Sequence, residues 1–323
     1  MRVLLPSRKV DLQMPNKRLV GGIELGGTKS IVAIGYNDGT ILERISLPTV
    51  VPELLIPQIA AFLQLHREQR GEILALGVGA FGPISLDPNA PNHGKLLETN
   101  KPGWSGFDLA SALRSATGLI PNIVTDVASA GIAEAHLGAL KASELGVYLT
   151  VGTGIGGAII YHGKPLPALL HPEIGHVALQ RHSTDTAPSS CRFHTNCAEG
   201  LAAGPAIMAR FGQSLRHFAP GSAEHDLIAD YLGQLCANLV LTLSPQRIIL
   251  GGGVGQTPGL IDATRAAMLD RLGGYAPDAV AYEQFLCAPH LGQDAGIVGA
   301  LCIAGHGSAI SENLSGGCKS WQL

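Results

Sequence analysis

The amino-acid sequence predicts an α/β fold in which one hairpin-helix-strand unit occurs twice, leaving a cleft between the two copies. Three observations carry this expectation. The chain has 323 residues, enough for two domains of ordinary size that each bury a core without disulfide support. Its 42 glycines are about twice the ~7% average, and they gather in turns between short apolar runs. The order strand, glycine turn, strand, turn, helix, strand appears after Leu19 and recurs more loosely after Leu145.

Residues 19–24 read as a strand, a glycine turn follows, and residues 30–35 and 41–45 continue a meander across an Asn37-Asp-Gly turn of ordinary hairpin chemistry. Residues 57–70 place apolar side chains at Ile59, Ala60, Phe62, Leu63 and Leu65 and end at Gly71, which predicts a helix starting at Pro57; 73–79 then read as a buried strand. Helices are expected over 108–117 and 128–140. The second unit has strands at 147–151 and 158–161 around a glycine turn, then a further turn at His162-Gly163. A long amphipathic helix over 225–243 is stopped by Ser244-Pro245, and an apolar strand runs from Arg247 into Gly251-Gly-Gly. A last helix is expected over 296–304, before a polar, glycine-rich tail expected to fray.

The formal net charge is -3 with Lys and Arg scattered, so no surface for nucleic acid or anionic lipid is expected and a small-molecule partner is favoured. No run approaches the ~18 apolar residues of a membrane helix. Residues 1–18 lack the apolar stretch of a secretory signal and read as a disordered arm or an upstream start, with Met14 the alternative beginning. The expectation is a soluble, cytoplasmic protein. Six cysteines do not form a disulfide framework: Cys191 and Cys197 lie close together beside histidines, whereas Cys236, Cys287, Cys302 and Cys318 read as buried or idle thiols.

Gly22-Ile-Glu-Leu-Gly-Gly-Thr-Lys29 nearly fits a phosphate-binding P-loop, but Thr-Lys stands where Lys-Ser/Thr is required, and a strand follows. Gly77-Val-Gly-Ala-Phe-Gly82 and Gly152-Thr-Gly-Ile-Gly-Gly157 both match GxGxxG, yet they run into Pro83 and into a strand rather than a helix, which excludes the dinucleotide reading. What remains is a set of tight turns at 26–28, 152–157 and 251–255, whose backbone N–H groups can cradle phosphate oxygens. Any one of them could simply join a hairpin. Their occurrence at equivalent points of two repeated units favours phosphate binding.

Asp126 ends the apolar run Ile123-Val-Thr and precedes an alanine-rich helix. Two readings are open for it: a catalytic carboxylate at the cleft mouth, or a helix N-cap. Cys191-x2-His194-x2-Cys197 with an upstream histidine supplies two thiolates and two imidazoles, the closed tetrahedral set of a structural Zn2+ site. His176 and His182 compete for the fourth place.

Together, the stretch from Gly22 to Lys29, the Gly152-Thr-Gly turn and Glu173-Ile-Gly-His176 resemble the ROK family, and within it the bacterial fructokinase branch, over about residues 19–304. The resemblance implies an actin-like ATPase (ribonuclease H-like) fold of two α/β domains, with ATP and sugar meeting in the active-site cleft between them. It implies Asp126 as the general base; Thr125-Asp126, where the wider family shows Asn-Asp, again matches the fructokinase branch. It implies Glu173, His176 and Glu199 as holders of sugar hydroxyls, with Lys101 and the Asn100-Lys-Pro-Gly-Trp104 and Ala80-Phe-Gly-Pro83 stretches on the small-domain side of the pocket. ATP contacts fall on Gly26, Gly27, Thr28, Lys29, Thr153, Pro205, Gly252, Gly253 and Val254. The family pattern gives the fourth zinc place to His176, beside Cys191, His194 and Cys197. Glu24 stands where many members have Asp, which leaves its role at the Mg2+ water shell open.

The function expected is ATP-dependent phosphorylation of a hexose, D-fructose to D-fructose 6-phosphate first, with mannose, glucose or an N-acetylhexosamine as alternatives. The expected division is an arm over 1–18, a small domain over 19–125 plus about 296–310, and a large domain over 126–295 carrying the zinc loop. A homodimer is usual among similar proteins. Sugar-responsive regulators of the same family carry a helix-turn-helix domain before the first glycine turn, whereas about twenty residues precede it here. A non-catalytic sugar-binding protein would leave Asp126, the phosphate turns and Lys29 without a purpose.

Overall fold

The computed structural model describes residues 17–168, 170–275 and 277–305. The expected meander forms β1 (Leu19–Leu25), β2 (Lys29–Tyr36) and β3 (Ile41–Pro48), paired antiparallel. The chain alternates in β1: Ile23 and Leu25 join a core with Leu55, Ile59 and Leu63 on one face, while Val20 joins Ile297 and Leu301 on the other. Glu24 therefore projects to the second face, in the middle of a sheet covered on both sides.

The next helix, α1 (Pro52–Arg70), begins before the expected start at residue 57. Pro52 sits in its first turn, where the missing N–H costs nothing. Pro57 is tolerated inside the helix because it lies on the exposed face, while Leu55 and Ile56 ahead of it are buried. Burial of those two side chains overrides the local stop signal. There follow β4 (Leu76–Ala80), α2 (Leu109–Thr117), β5 (Pro121–Thr125) and α3 (Asp126–Leu137).

The second unit comprises β6 (Leu145–Val151), β7 (Ile155–Tyr161), β8 (Lys164–Pro165), α4 (Ala198–Ala202), α5 (Gly204–Phe211), α6 (Ala223–Leu243), β9 (Arg247–Gly251), α7 (Gly252–Gly255), α8 (Leu260–Leu272), α9 (Pro277–Val280), β10 (Leu286–Cys287) and α10 (Ala295–Ala304). The strand orders are β3-β2-β1-β4-β5 and β10-β9-β6-β7-β8. In each sheet the first strand of the unit pairs antiparallel with its hairpin partner and parallel with the strand that follows the helices. The two sheets have one topology, as a duplicated unit requires. This is the actin-like ATPase fold that the resemblance implied.

Helices α3 and α10 follow the last strands of the two sheets and cross between them. Ser129 Oγ donates to the Gly296 carbonyl at 2.7 Å. Residues of both helices share a core with Tyr148, Ala158 and Ile160 of the second sheet. Among the described residues no helix is long and apolar enough to cross a membrane, and Cys191, Cys197, Cys236, Cys287 and Cys302 form no disulfide. Most of the expected arm, the tail from residue 306 and Cys318 lie outside the described residues. Lys17 and Arg18 are held to the 37–38 turn, the latter through its N–H to Asn37 Oδ1 at 2.8 Å.

Candidate active site

Parallel strands deliver their following loops to one sheet edge, and here that edge carries the predicted chemistry. Leu25, Ala80 and Thr125 stand side by side across β1, β4 and β5. The Gly26–Thr28 turn, the Phe81–Pro83 loop and Asp126 therefore leave the first sheet together. In the second sheet Thr150 pairs with Gly251, so the 152–154 turn lies beside Gly252, Gly253 and Val254.

Asp126 is not the cap of its helix. Thr125 takes that place, its Oγ1 accepting from the Ala128 N–H at 3.1 Å, and Asp126 becomes the first helical residue. Its Oδ1 accepts from the Val127 N–H at 2.8 Å. Burial pushes its pKa up to about 6, opposed by that N–H and by His171. A half-buried carboxylate at this value is ionised at neutral pH and still basic enough to take a proton.

Glu24 faces α10, where Gly296 makes room for it: a β-carbon there would lie 2.5 Å from Glu24 Cδ. Its Oε2 is buried without a hydrogen-bond partner among the described residues. Burial first, then Asp126, raises its pKa to about 7, against the Lys29 ammonium. A buried carboxylate whose proton affinity the neighbouring Asp126 raises, and which keeps an orphaned oxygen, makes a site short of positive charge. A hydrated divalent cation fits that donor set.

A cavity of about 480 Å3 in the second unit is lined by Thr153, Pro205, Gly253, Val254, Ile207 and Arg216, among others. Four of these are expected ATP contacts, gathered from three separate segments. Gly204 N–H bonds the Gly152 carbonyl at 2.7 Å, which closes α5 onto the glycine turn. Gly252 has φ +82, and a β-carbon there would collide with the Val151 carbonyl, so glycine is required. Gly26, Gly27, Thr28 and Lys29 form the corresponding turn of the first sheet. That turn is pinned by Thr49, whose Oγ1 donates to the Gly26 carbonyl at 2.7 Å. A second cavity of about 510 Å3, beside Asp262, Arg265 and Cys287, holds none of the expected site residues.

The four expected sugar contacts do not all converge. Glu173 Oε1 lies 2.9 Å from His171 Nε2, and this bond holds the Glu173 carboxyl below its usual range. The same Nε2 would lie 3.2 Å from a β-carbon on Gly82, so this pair meets the Phe81–Pro83 loop of the first unit. Glu199 instead supports the second glycine turn, its Oε2 accepting from the Ile155 N–H at 3.0 Å. Lys101 lies against the first glycine turn: a β-carbon on Gly27 would sit 3.1 Å from Lys101 Cε and 3.2 Å from its Nζ.

His176, Cys191, His194 and Cys197 offer ligand atoms all within 4.8 Å of one another. Cys191 Sγ is 3.9 Å from His176 Nδ1 and 3.6 Å from His194 Nδ1. Donors around a tetrahedral zinc at its usual bond lengths stand roughly 3.3–3.8 Å apart, so the set fits such an ion. His182 is held elsewhere, its Nδ1 2.8 Å from Thr184 Oγ1. Burial first pushes the Cys197 thiol up to about 11, a bias a bound cation would reverse. His176 turns Nδ1 to the cluster, which leaves Nε2 for a second partner.

Three residues of this neighbourhood escaped the sequence reading. His171 lies before the Glu-x-Gly-His motif and needed the fold to meet Gly82. Arg192, between two metal-site residues, donates to Asn100 Oδ1 at 2.8 Å, 92 residues away. Gly296 had one visible signal, a glycine within an apolar helix, which usually marks a close approach.

The ROK family matches residues 20–306 of the chain. The chain is 36% identical over 293 residues to a fructokinase of Zymomonas mobilis, covering 90% of this chain and 97% of that protein. It is 34% identical over 286 residues to a fructokinase of Pediococcus pentosaceus, covering 88% and 97%. Among solved structures, a ROK hexokinase of Thermus thermophilus matches with a TM-score of 0.73 at 30% identity, covering 88% of this chain and 97% of that one.

Proposed function

The chain belongs to the ROK family, and from that membership we propose that it transfers the γ-phosphoryl group of ATP to the 6-hydroxyl of D-fructose, with Asp126 as general base. That it is an ATP-dependent sugar kinase follows from its relatives; fructose is the finer reading, favoured by the fructokinases at 34% and 36% identity and by the Thr125-Asp126 and Cys-x2-His-x2-Cys variants. The observation that carries the mechanism is Asp126 itself. It stands at the end of β5, on the sheet edge that also carries the Gly26–Gly27 turn one strand further across, beyond β4, released from capping by Thr125.

The sugar O6 attacks the γ-phosphorus, its proton passes to the Asp126 carboxylate, and the bond to the bridging oxygen breaks to leave ADP. The 26–29 and 152–154 turns and Gly252 to Val254 orient the phosphates, and the cavity at Pro205 holds the base. Mg2+, when bound, neutralises phosphate charge, and Glu24 with Asp126 are the carboxylates that would hold its water shell. Glu173 and the free Nε2 of His176 are placed to accept or donate to sugar hydroxyls, with His171 orienting Glu173. Zinc, held by His176, Cys191, His194 and Cys197, would fix the loop between Glu173 and Glu199 and act on the reaction only through those side chains. We assign residues 19–125 with the last helix to the sugar-side domain and 126–295 to the nucleotide-side domain; the packing of Ile297 and Leu301 against Val20 and Ile31 supports this.

The test is a coupled ADP-release assay with MgATP over fructose, mannose, glucose, N-acetylmannosamine and N-acetylglucosamine. The highest kcat/KM is expected on fructose. A higher value on another hexose moves the substrate while keeping the class, and no turnover on any sugar by folded, metal-loaded protein refutes the reading.

A further inference from the structure

We propose that Lys101, carried on the sugar-side loop, is a phosphate-contacting catalytic residue and that Arg192 of the metal loop positions it; this rests on the kinase reading above. The ammonium of Lys101 leans on Gly27, at the phosphate turn of the first sheet, and not on Glu173. Among the described residues no carboxylate lies within ion-pairing distance of it. Lys101 is half-buried, and its charge is left without a protein counterion. The anion that fits this place is the terminal phosphate of a nucleoside triphosphate held over Gly26 and Gly27.

The loop behind the lysine is rigid. Its carbonyl accepts from the Trp104 N–H at 3.1 Å. Trp104 is buried, stacks edge-on against Phe81 and Phe107, and donates Nε1–H to the Val50 carbonyl at 2.9 Å. Ser105 Oγ accepts from the Thr99 N–H at 3.0 Å and donates to the Thr99 carbonyl at 2.9 Å. The neighbouring residue, Asn100, receives the Arg192 hydrogen bond. Arg192 in turn stands between Cys191 and His194 and stacks on the Phe193 ring at 4.5 Å. A path of direct contacts thus runs from the metal loop to a cation at the phosphate turn. Such a cation is more valuable as charge spreads over the equatorial oxygens in the transition state than in the ground state. It also couples sugar-side loop placement to phosphoryl transfer, because the one loop carries both.

The experiment is calorimetric binding of Mg-ADP, of a non-hydrolysable Mg-ATP analogue and of fructose to wild type, Lys101→Met, Lys101→Arg and Arg192→Ala, beside steady-state kinetics. Lys101→Met is expected to lose about tenfold to a hundredfold in analogue affinity, the scale of one charge-assisted hydrogen bond. ADP affinity should stay within about twofold, since ADP lacks the contacted phosphate. Lys101→Arg should restore most of the loss, and Arg192→Ala should show the same signature, smaller, with bound zinc unchanged. Weakened fructose binding with both nucleotides unaffected would overturn the proposal in favour of a sugar contact. A parallel loss of all three, or no change in any, overturns it as well. Failure of wild type to bind either nucleotide would sink the kinase reading first, and this inference with it.

Discussion

Replacing Asp126 by Asn should separate activity from stability in opposite directions. The Asn side chain keeps the shape and the oxygen that accepts from the Val127 N–H at 2.8 Å, and removes only the charge. The loss of a positioned general base costs on the order of 10²–10⁴-fold in kcat, roughly 3–5 kcal/mol of barrier. The folded-state pKa of about 6 lies above the usual 3.8, so the native protein holds the proton more tightly than the unfolded chain. Stability therefore falls as pH rises through the window from about 4 to about 6, and above it the ionised carboxylate costs up to about 3 kcal/mol. Asn escapes that cost. Urea denaturation at pH 7.5 should find the variant as stable as wild type or more so, while the coupled assay finds it nearly inactive. In wild type, kcat/KM should decline below pH ~6 as the base protonates, with Glu24, at about 7, steepening the fall. A variant that is both destabilised and inactive would mean that Asp126 is a structural residue. One that keeps normal turnover would refute its role as base.

Gly296→Ala should crowd Glu24, lowering stability by about 1–3 kcal/mol and turnover with it, because the added methyl would sit 2.5 Å from Glu24 Cδ. Shortening the acid in the double variant Gly296→Ala/Glu24→Asp should recover part of the stability, read as a favourable coupling in a double-mutant cycle; strict additivity would deny the contact. Metal analysis of the purified protein should find one zinc per chain, lost in Cys197→Ser. The variant's fructose KM should rise more than its kcat falls, since the loop would lose Glu173 and His176 placement rather than the base; an unchanged zinc content would exclude this cluster as the site.

Much of the candidate site was legible because its parts are short-range. The turns at 26–28 and 152–157 are written in glycine and threonine, and the two strand-turn-strand units occur in the same order. Cys191, His194 and Cys197 lie within one loop, so their spacing alone suggested a metal. The start of α1 was misread because Pro57 is a strong local stop signal, while the burial of Leu55 and Ile56 that overrides it is a long-range fact. The resemblance implies sugar contacts for Lys101 and Glu199 from their motif positions, and that each also lies against a glycine turn is a tertiary fact with no local signal.

The sequence by itself determined the repeated α/β units, the glycine turns at 26–28 and 152–157, the acid at the end of β5 and the Cys-x2-His-x2-Cys spacing, because periodicity, turn chemistry and ligand spacing act over a few residues. Only the tertiary structure decided that Thr125 caps the helix in place of Asp126, that Glu24 faces Gly296 with an oxygen unpartnered, and that Arg192 reaches Asn100. Each of these depends on which segments strand pairing and the crossing of α3 and α10 bring within a few ångströms. Such distances follow from the packing of the whole chain, and no local pattern of residues records them.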